Sequence, residues 1–305
     1  MGKARRGKSK NNLVFFLFLL PSLLAFCMVI IIPFFIGIYY SFTNWEAITG
    51  IDVQWVGLRN YLAIFKDVTF LNSFLVTVAY AILSIFVLNI CAFFLALLVT
   101  SKLKFNGVYR AGFFLPNLIG GLILGYIWQF IFNNVIPAFG GSIGFIWLKE
   151  NQFLANRYLA LLAMVIVSTW QYAGYIMMIY VASIQGIPDS LIEAAEIDGV
   201  NYGQRLRHIV FPLVAPAFTV SMFLTLVNSF KQFDTNYALN NGGPSGMFMG
   251  RAIMTNQFLA LNIYQTAFSY RQLAQGQAKA VIFFIVLTVI SLVQVRINKK
   301  REIEM

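Results

Sequence analysis

Six apolar runs constrain this chain more than any other feature. About twenty residues of helix cross ~30 Å of hydrocarbon, and the runs fall at Leu13–Phe42, Phe74–Thr100, Ala111–Phe132, Tyr158–Ile184, Ile209–Phe230 and Ala278–Ile297. Hydrophobic residues make up 59% of the chain and charged ones 11%. That exceeds what one aqueous core can bury, so the bilayer must act as solvent. Backbone groups in lipid must be satisfied within their own segment, which predicts an all-α polytopic membrane protein with six transmembrane helices. The first run exceeds one crossing and holds Pro21 and Pro33, so a tilt or kink is expected there. Its length also argues for retention as a span rather than cleavage as a signal peptide.

The net charge of +11 is unevenly spread. Lys3, Arg5, Arg6, Lys8, Lys10, Lys102, Lys104, Arg110, Arg205, Arg207, Arg296, Lys299, Lys300 and Arg301 fall on one side of an alternating six-span topology. The other side holds Arg59, Lys66, Lys149, Arg157, Lys231, Arg251, Arg271 and Lys279. The basic excess places both termini and the loop around Glu193 in the cytoplasm. It serves orientation rather than nucleic acid. Residues 1–12 and 298–305 then read as basic tails flanking a transmembrane domain at 13–297, with the charged loop at 186–212.

Catalytic and metal chemistry find little support. Cys27 and Cys91 both lie in apolar runs and His208 is the single histidine, so no disulfide framework, metal site or cofactor is expected on this chain. Gly2-Lys3-Ala4-Arg5-Arg6-Gly7-Lys8-Ser9 matches a phosphate-loop pattern. A phosphate cradle needs a strand before the loop, and here the pattern leads into a membrane span. No Asp, Glu or His lies near the middle of any run, which disfavours a proton- or sodium-driven carrier. Neither a filter loop nor a ring of pore charges supports a six-helix channel.

Asp189, Glu193, Glu196 and Asp198 form the one acidic cluster of the sequence. Glu193-Ala194-Ala195-Glu196-Ile197-Asp198-Gly199 reads as a short amphipathic helix closed by a left-handed glycine. Asp189 or Ser190 after Pro188 is expected to cap its start. By spacing alone it is either a helix shown to a partner or a solvated connector.

Polar side chains also recur at span depth. Ser221, Thr225, Asn228 and Gln232 share one helical stripe, with Ser229 beside it. Ser168, Tyr172 and Tyr175 form another, near Trp170 and Gln171, and Asn117 precedes Gly120-Gly121. Such groups either line a solute path or bond helices together.

A resemblance adds to these readings. Glu193-Ala194-Ala195, then Gly199, then Ile209-Val210-Phe211-Pro212 resembles the EAA loop of ABC importer permeases. Leu20-Pro21-Ser22, Ser41-Phe42-Thr43-Asn44-Trp45, Trp55-Val56-Gly57-Leu58-Arg59-Asn60-Tyr61 and Gly242-Gly243-Pro244 are similar to the sugar-type members, relatives of the maltose permeases. The resemblance implies a bacterial or archaeal cell-membrane permease taking up a carbohydrate; the nearest alternative is an ABC importer permease for another solute such as a polyamine. It implies that Glu193, Ala194, Ala195, Asp198, Gly199 and Pro212 couple to an ATPase. It implies a sugar path at Asn117, Gly121, Trp170, Tyr172, Tyr175, Thr225, Ser229 and Gln232. Its implied partners are a second permease, two ATPase subunits that hold ATP and Mg, and an extracellular sugar-binding protein. It makes the outer segment Thr235–Gln277 part of the surface that meets this binding protein.

Overall fold

A computed structural model describes residues 3–46, 52–101 and 104–299, with side chains described from Val14 onward. Much of both basic tails, and Lys102, therefore lie outside the described residues or side chains. Helices α1 (Lys3–Phe26), α2 (Ile32–Ser41) and α3 (Arg59–Ile64) precede the long α4 (Val68–Thr100). Then come α5 (Asn106–Phe114), α6 (Gly121–Phe130), α7 (Ile136–Ser142), α8 (Ile146–Glu150) and α9 (Arg157–Gln185). The chain continues through α10 (Asp189–Ile197), α11 (Tyr202–Arg205), α12 (Phe211–Phe230) and α13 (Asp234–Asn240). A hairpin of β1 (Ser245–Phe248) and β2 (Arg251–Met254) leads to α14 (Leu259–Tyr264) and α15 (Leu273–Lys299).

Six helices among the described residues are long and apolar enough to cross a membrane: Val14–Ser41, Val68–Thr100, Gly121–Ser142, Arg157–Gln185, Tyr202–Phe230 and Leu273–Lys299. The third departs from expectation, starting at Gly121 rather than Ala111. A tight turn at Leu115–Leu118, containing Pro116, separates α5 from α6, because proline removes a ladder donor and its ring strikes the preceding turn. The phosphate-loop pattern is helical from Lys3 onward, as a span's leading segment should be.

Three spans contain one wide, five-residue turn each, at Cys27–Ile31, Ile131–Val135 and Leu206–Val210. Each precedes Pro33, Pro137 or Pro212 by two residues. The carbonyl that each proline ring would strike, four residues back, lies inside the wide turn. Widening moves it away, so the helix continues past the proline.

The chain divides into two compact units, Met1–Ile64 with Gln265–Ile282, and Phe65–Tyr264 with Phe283–Met305. In the first unit, Trp55 stacks on Phe42 at 5.1 Å, and Asn60 donates to the carbonyls of Ser41 and Thr43, both at 2.8 Å. Lys279 lies buried within α15, donating to Thr266 Oγ1 at 2.8 Å, so it belongs to a helix rather than a loop.

The second unit is built on α4 against α9 and α12. Asp67 caps α4 and Asn156 caps α9, each accepting two backbone amides and contributing about 1 kcal/mol. Leu88, Ala92, Ala96 and Val99 pack with Ile176, Met177, Tyr180, Val181, Val210, Val214 and Ala217; the alanines permit close backbone approach. The segment after α12 is far from a solvated linker. Leu239 and Phe258 are fully buried with Tyr80 and Leu124, and Thr77 accepts from the Leu259 amide at 2.9 Å. Gly121 and Gly125 bring α6 against α13: a Cβ at Gly125 would meet that of Ala238 at 2.5 Å.

Candidate functional site

The segment from Asp189 to Pro212 holds its shape through local contacts. Helix α10 starts without the expected side-chain cap from Asp189 or Ser190. Pro188 occupies the cap position, and its carbonyl accepts from Leu191 at 3.0 Å; Asp189 instead sits in the first turn, where the helix dipole favours its charge. At the other end Gly199 has φ +71, as expected. Its amide reaches the Glu196 carbonyl at 3.1 Å, and the Val200 amide reaches that of Ala195 at 3.0 Å, which satisfies the helix end in a Schellman arrangement. A Cβ on Gly199 would meet nothing within 4 Å, so the demand for glycine here is conformational. Asn201 and Gln204 form a reciprocal capping box for α11, and Arg205 pairs with Glu196 at 3.0 Å.

This arrangement divides the residues of the EAA pattern. Ala195 faces inward and is buried, while Glu193, Ala194, Asp198 and Gly199 are exposed. Pro212 is the second residue of α12, half-buried, just after the wide turn. Sequence reasoning weighed the charges and missed the exposed apolar residues beside them: Leu191 and Ile197, the latter 86% exposed. Glu193 and Glu196 line a groove that runs past Tyr202 and Arg205 to Leu97 and Thr100 at the end of α4.

The second candidate is a polar cleft between α4, α9 and α12. It brings together Tyr172, Tyr175, Thr225, Ser229 and Gln232, with Ser168 and Asn228 from the same stripes. Helix α4 adds Tyr80, Ser84 and Leu88, to which the polar stripes of the sequence do not point. The space left for water is about 10 Å³, roughly one molecule, so the narrow part is shut. A wider part of about 180 Å³ continues from Tyr172, Asn228 and Gln232 to Gly121, Lys231, Phe233, Asp234 and Thr235.

Two path residues stay outside. Asn117 is half-buried in the turn before α6 and lines neither part. Trp170 is 45% exposed and packs edge-to-face on Trp128 at 5.8 Å. Its distance of two positions from Tyr172 turns it to the other side of α9. Helix bonding and cleft lining are both present in the fifth span. Tyr180 donates to Asn89 Oδ1 at 2.7 Å and lies 2.5 Å from Ser221 Oγ; Asn89 donates to Thr225 Oγ1 at 3.3 Å. Ser221 belongs wholly to this knot, whereas Thr225 serves both.

Six membrane-length helices, an exposed charged helix between two of them and a polar cleft at span depth define a polytopic membrane protein of the transport class. The chain belongs to the family of inner membrane components of binding-protein-dependent transport systems, whose profile matches residues 104–303. It is 47% identical to the "Probable starch degradation products transport system permease protein AmyD" of Thermoanaerobacterium thermosulfurigenes, over 97% of both chains. It is 30% identical to the sn-glycerol-3-phosphate transport system permease protein UgpA of Agrobacterium fabrum, over 95% of this chain and 96% of that one. In fold it is similar to a chain of a bacterial alginate ABC transporter crystallised with an alginate pentasaccharide-bound periplasmic protein, with a TM-score of 0.79, 19% identity and 94% of each chain covered. The protein is thus an ABC transporter permease, a multi-pass inner membrane component.

Proposed function

We propose that this permease imports a neutral oligosaccharide of the kind released from starch, driven by ATP hydrolysis on separate subunits. The observation that carries the reading is one continuous core linking α10 to the cleft. Leu88 and Ile176 line the cleft and also belong to the cluster that contains Ile187, Val210 and Val214, with Ile192 of α10 packed against it. Motion of α10 would therefore reach α9 and α12 as rigid displacement rather than dissipate in a loose loop. The shut cleft suits this role, since the helices must part for a sugar to pass. Tyrosine faces and amide or hydroxyl edges match the apolar faces and hydroxyl rims of sugars.

In this reading α10 docks on an ATPase subunit through Leu191, Ala194 and Ile197, with Glu193 available to a basic group across the interface. ATP and Mg belong to two such ATPase subunits, and this chain carries no cofactor of its own. A second permease completes the passage, and an extracellular binding protein delivers the sugar. Both termini and α10 face the cytoplasm, and 47% identity over 97% of both chains supports the starch-type substrate. The test is uptake of malto-oligosaccharides by the reconstituted complex, with copurification of the ATPase. Binding-protein- and ATP-dependent uptake is expected; absence of both uptake and a bound ATPase would overturn the reading.

A further inference from the structure

The cleft changes character along its length, and the change falls at Lys231 and Asp234. Its narrow part is lined without any ammonium or carboxylate. In the wider part, Lys231 and Asp234 are the charged lining residues. Lys231 closes the C-terminal end of α12, and Asp234 opens α13. Asp234 lies against the bare backbone of Gly121, where an added Cβ would come within 2.8 Å of the aspartate Cβ and 3.4 Å of its Oδ2. Gly121 thus makes room for the carboxylate. Among the described residues no ion pair joins Lys231 to Asp234, and the Lys231 ammonium makes no hydrogen bond.

Each charge also suits its helix end, a cation at a C-terminus and an anion at an N-terminus. That accounts for their places in the chain, but it leaves both residues lining the cleft and unpaired with each other. Opposite charges held apart treat solutes differently according to charge. A sugar hydroxyl both donates and accepts, so neighbouring hydroxyls can accept from the ammonium and donate to the carboxylate in charge-assisted bonds. An anionic solute drawn to the Lys231 ammonium must also pass the Asp234 carboxylate, and a cationic one drawn to Asp234 must also pass Lys231. Like-charge juxtaposition in a confined passage is unfavourable.

We propose that Lys231 and Asp234 form a selectivity pair of opposite signs that passes neutral, hydroxyl-rich solutes and turns away charged ones. The inference rests on the carbohydrate reading above and names the residues that determine its charge class. The test uses the full complex in proteoliposomes with its binding protein. The probes are a neutral malto-oligosaccharide and the same oligosaccharide oxidised to an aldonate at its reducing end. Uptake of each is divided by its occupancy of the binding protein, so that delivery and passage are separated.

The wild type should favour the neutral probe. Asp234→Asn should raise the anionic-to-neutral ratio by about tenfold, and Lys231→Gln should lower it below the wild-type value. Lys231 and Asp234 are both exposed, so either single variant is expected to assemble. An unchanged ratio in Lys231→Gln and in any assembled Asp234→Asn, with neutral uptake intact, would overturn the selectivity pair alone. Failure of the wild type to import the neutral probe would overturn the carbohydrate reading and the pair with it.

Discussion

The α10 segment and the polar cleft are shaped by opposite means. The segment depends on backbone geometry and near neighbours: a left-handed Gly199, a Schellman end, a capping box and an exposed ion pair nine residues apart. The cleft depends on side chains from α4, α9 and α12 that meet across long stretches of chain, such as Asn89 with Thr225. The first can present itself to a partner while the core stays intact. The second cannot change without moving the helices that form it. A transporter needs both, since the partner's motion must enter at one place and be spent at another.

The largest effect should come from the knot beside the cleft. Asn89→Ala removes the acceptor of the Tyr180 hydroxyl and a donor to Thr225. It should destabilise the protein by about 2–3 kcal/mol, because truncation leaves buried polar groups unsatisfied and opens a void. A lower thermal midpoint of the purified complex, together with reduced uptake, is expected. A midpoint equal to wild type would mean the cleft is less dependent on distant side chains than the contrast requires.

Gly199 should give a smaller stability change and a sharper functional one. Gly199→Val places a β-branched residue at φ +71, a conformation that costs such residues about 1 kcal/mol or more. Uptake and ATPase copurification should fall while the permease remains in the membrane. Gly199→Asn should retain much more activity, since asparagine tolerates the left-handed region and open space surrounds the position. Equal losses in both variants would show that side-chain volume, rather than backbone geometry, governs the segment.

Gln232→Ala should leave assembly unchanged and raise the apparent KM for sugar, because its side chain lines both parts of the cleft. Trp170→Ala should have less effect, since Trp170 lies outside the cleft lining; comparable KM changes would place the path on the other face of α9. The smallest effect belongs to Arg205→Ala. Its ion pair with Glu196 has side chains 27% and 64% exposed, and exposed pairs contribute roughly 0–1 kcal/mol. Thermal midpoints of variant and wild type should nearly coincide.

The same contrast explains what was legible in the sequence. The α10 helix and the φ of Gly199 follow from neighbouring residues, so they could be read directly. Spacing of three and four placed Tyr172 with Tyr175, and Thr225 with Asn228 and Gln232, on common helix faces. Trp170 lies off that spacing, and its place on the path came from the family resemblance. Tyr80 and Ser84 were not legible because nothing in the second run says which of its faces meets the fourth and fifth spans. The start of the third span was misplaced because hydropathy sees a continuous apolar run where Pro116 and Gly121 separate two helices. The packing of Phe258 and Leu259 beneath a polar-looking segment depends on contacts with α4 that local sequence does not display.

Coupling of this kind requires that α10 and the cleft move together. It is tested most directly by cysteine accessibility in the full complex, with Cys27 and Cys91 replaced by alanine and Ser229→Cys introduced as the reporter. Ser229 is buried in the shut cleft, so a water-soluble thiol reagent should label it slowly without nucleotide. Trapping the ATPases with ATP and vanadate should raise the labelling rate several-fold, and adding Gly199→Val should remove that increase. Labelling that does not change with nucleotide, or changes equally in the Gly199→Val background, would contradict the coupling of α10 to the cleft.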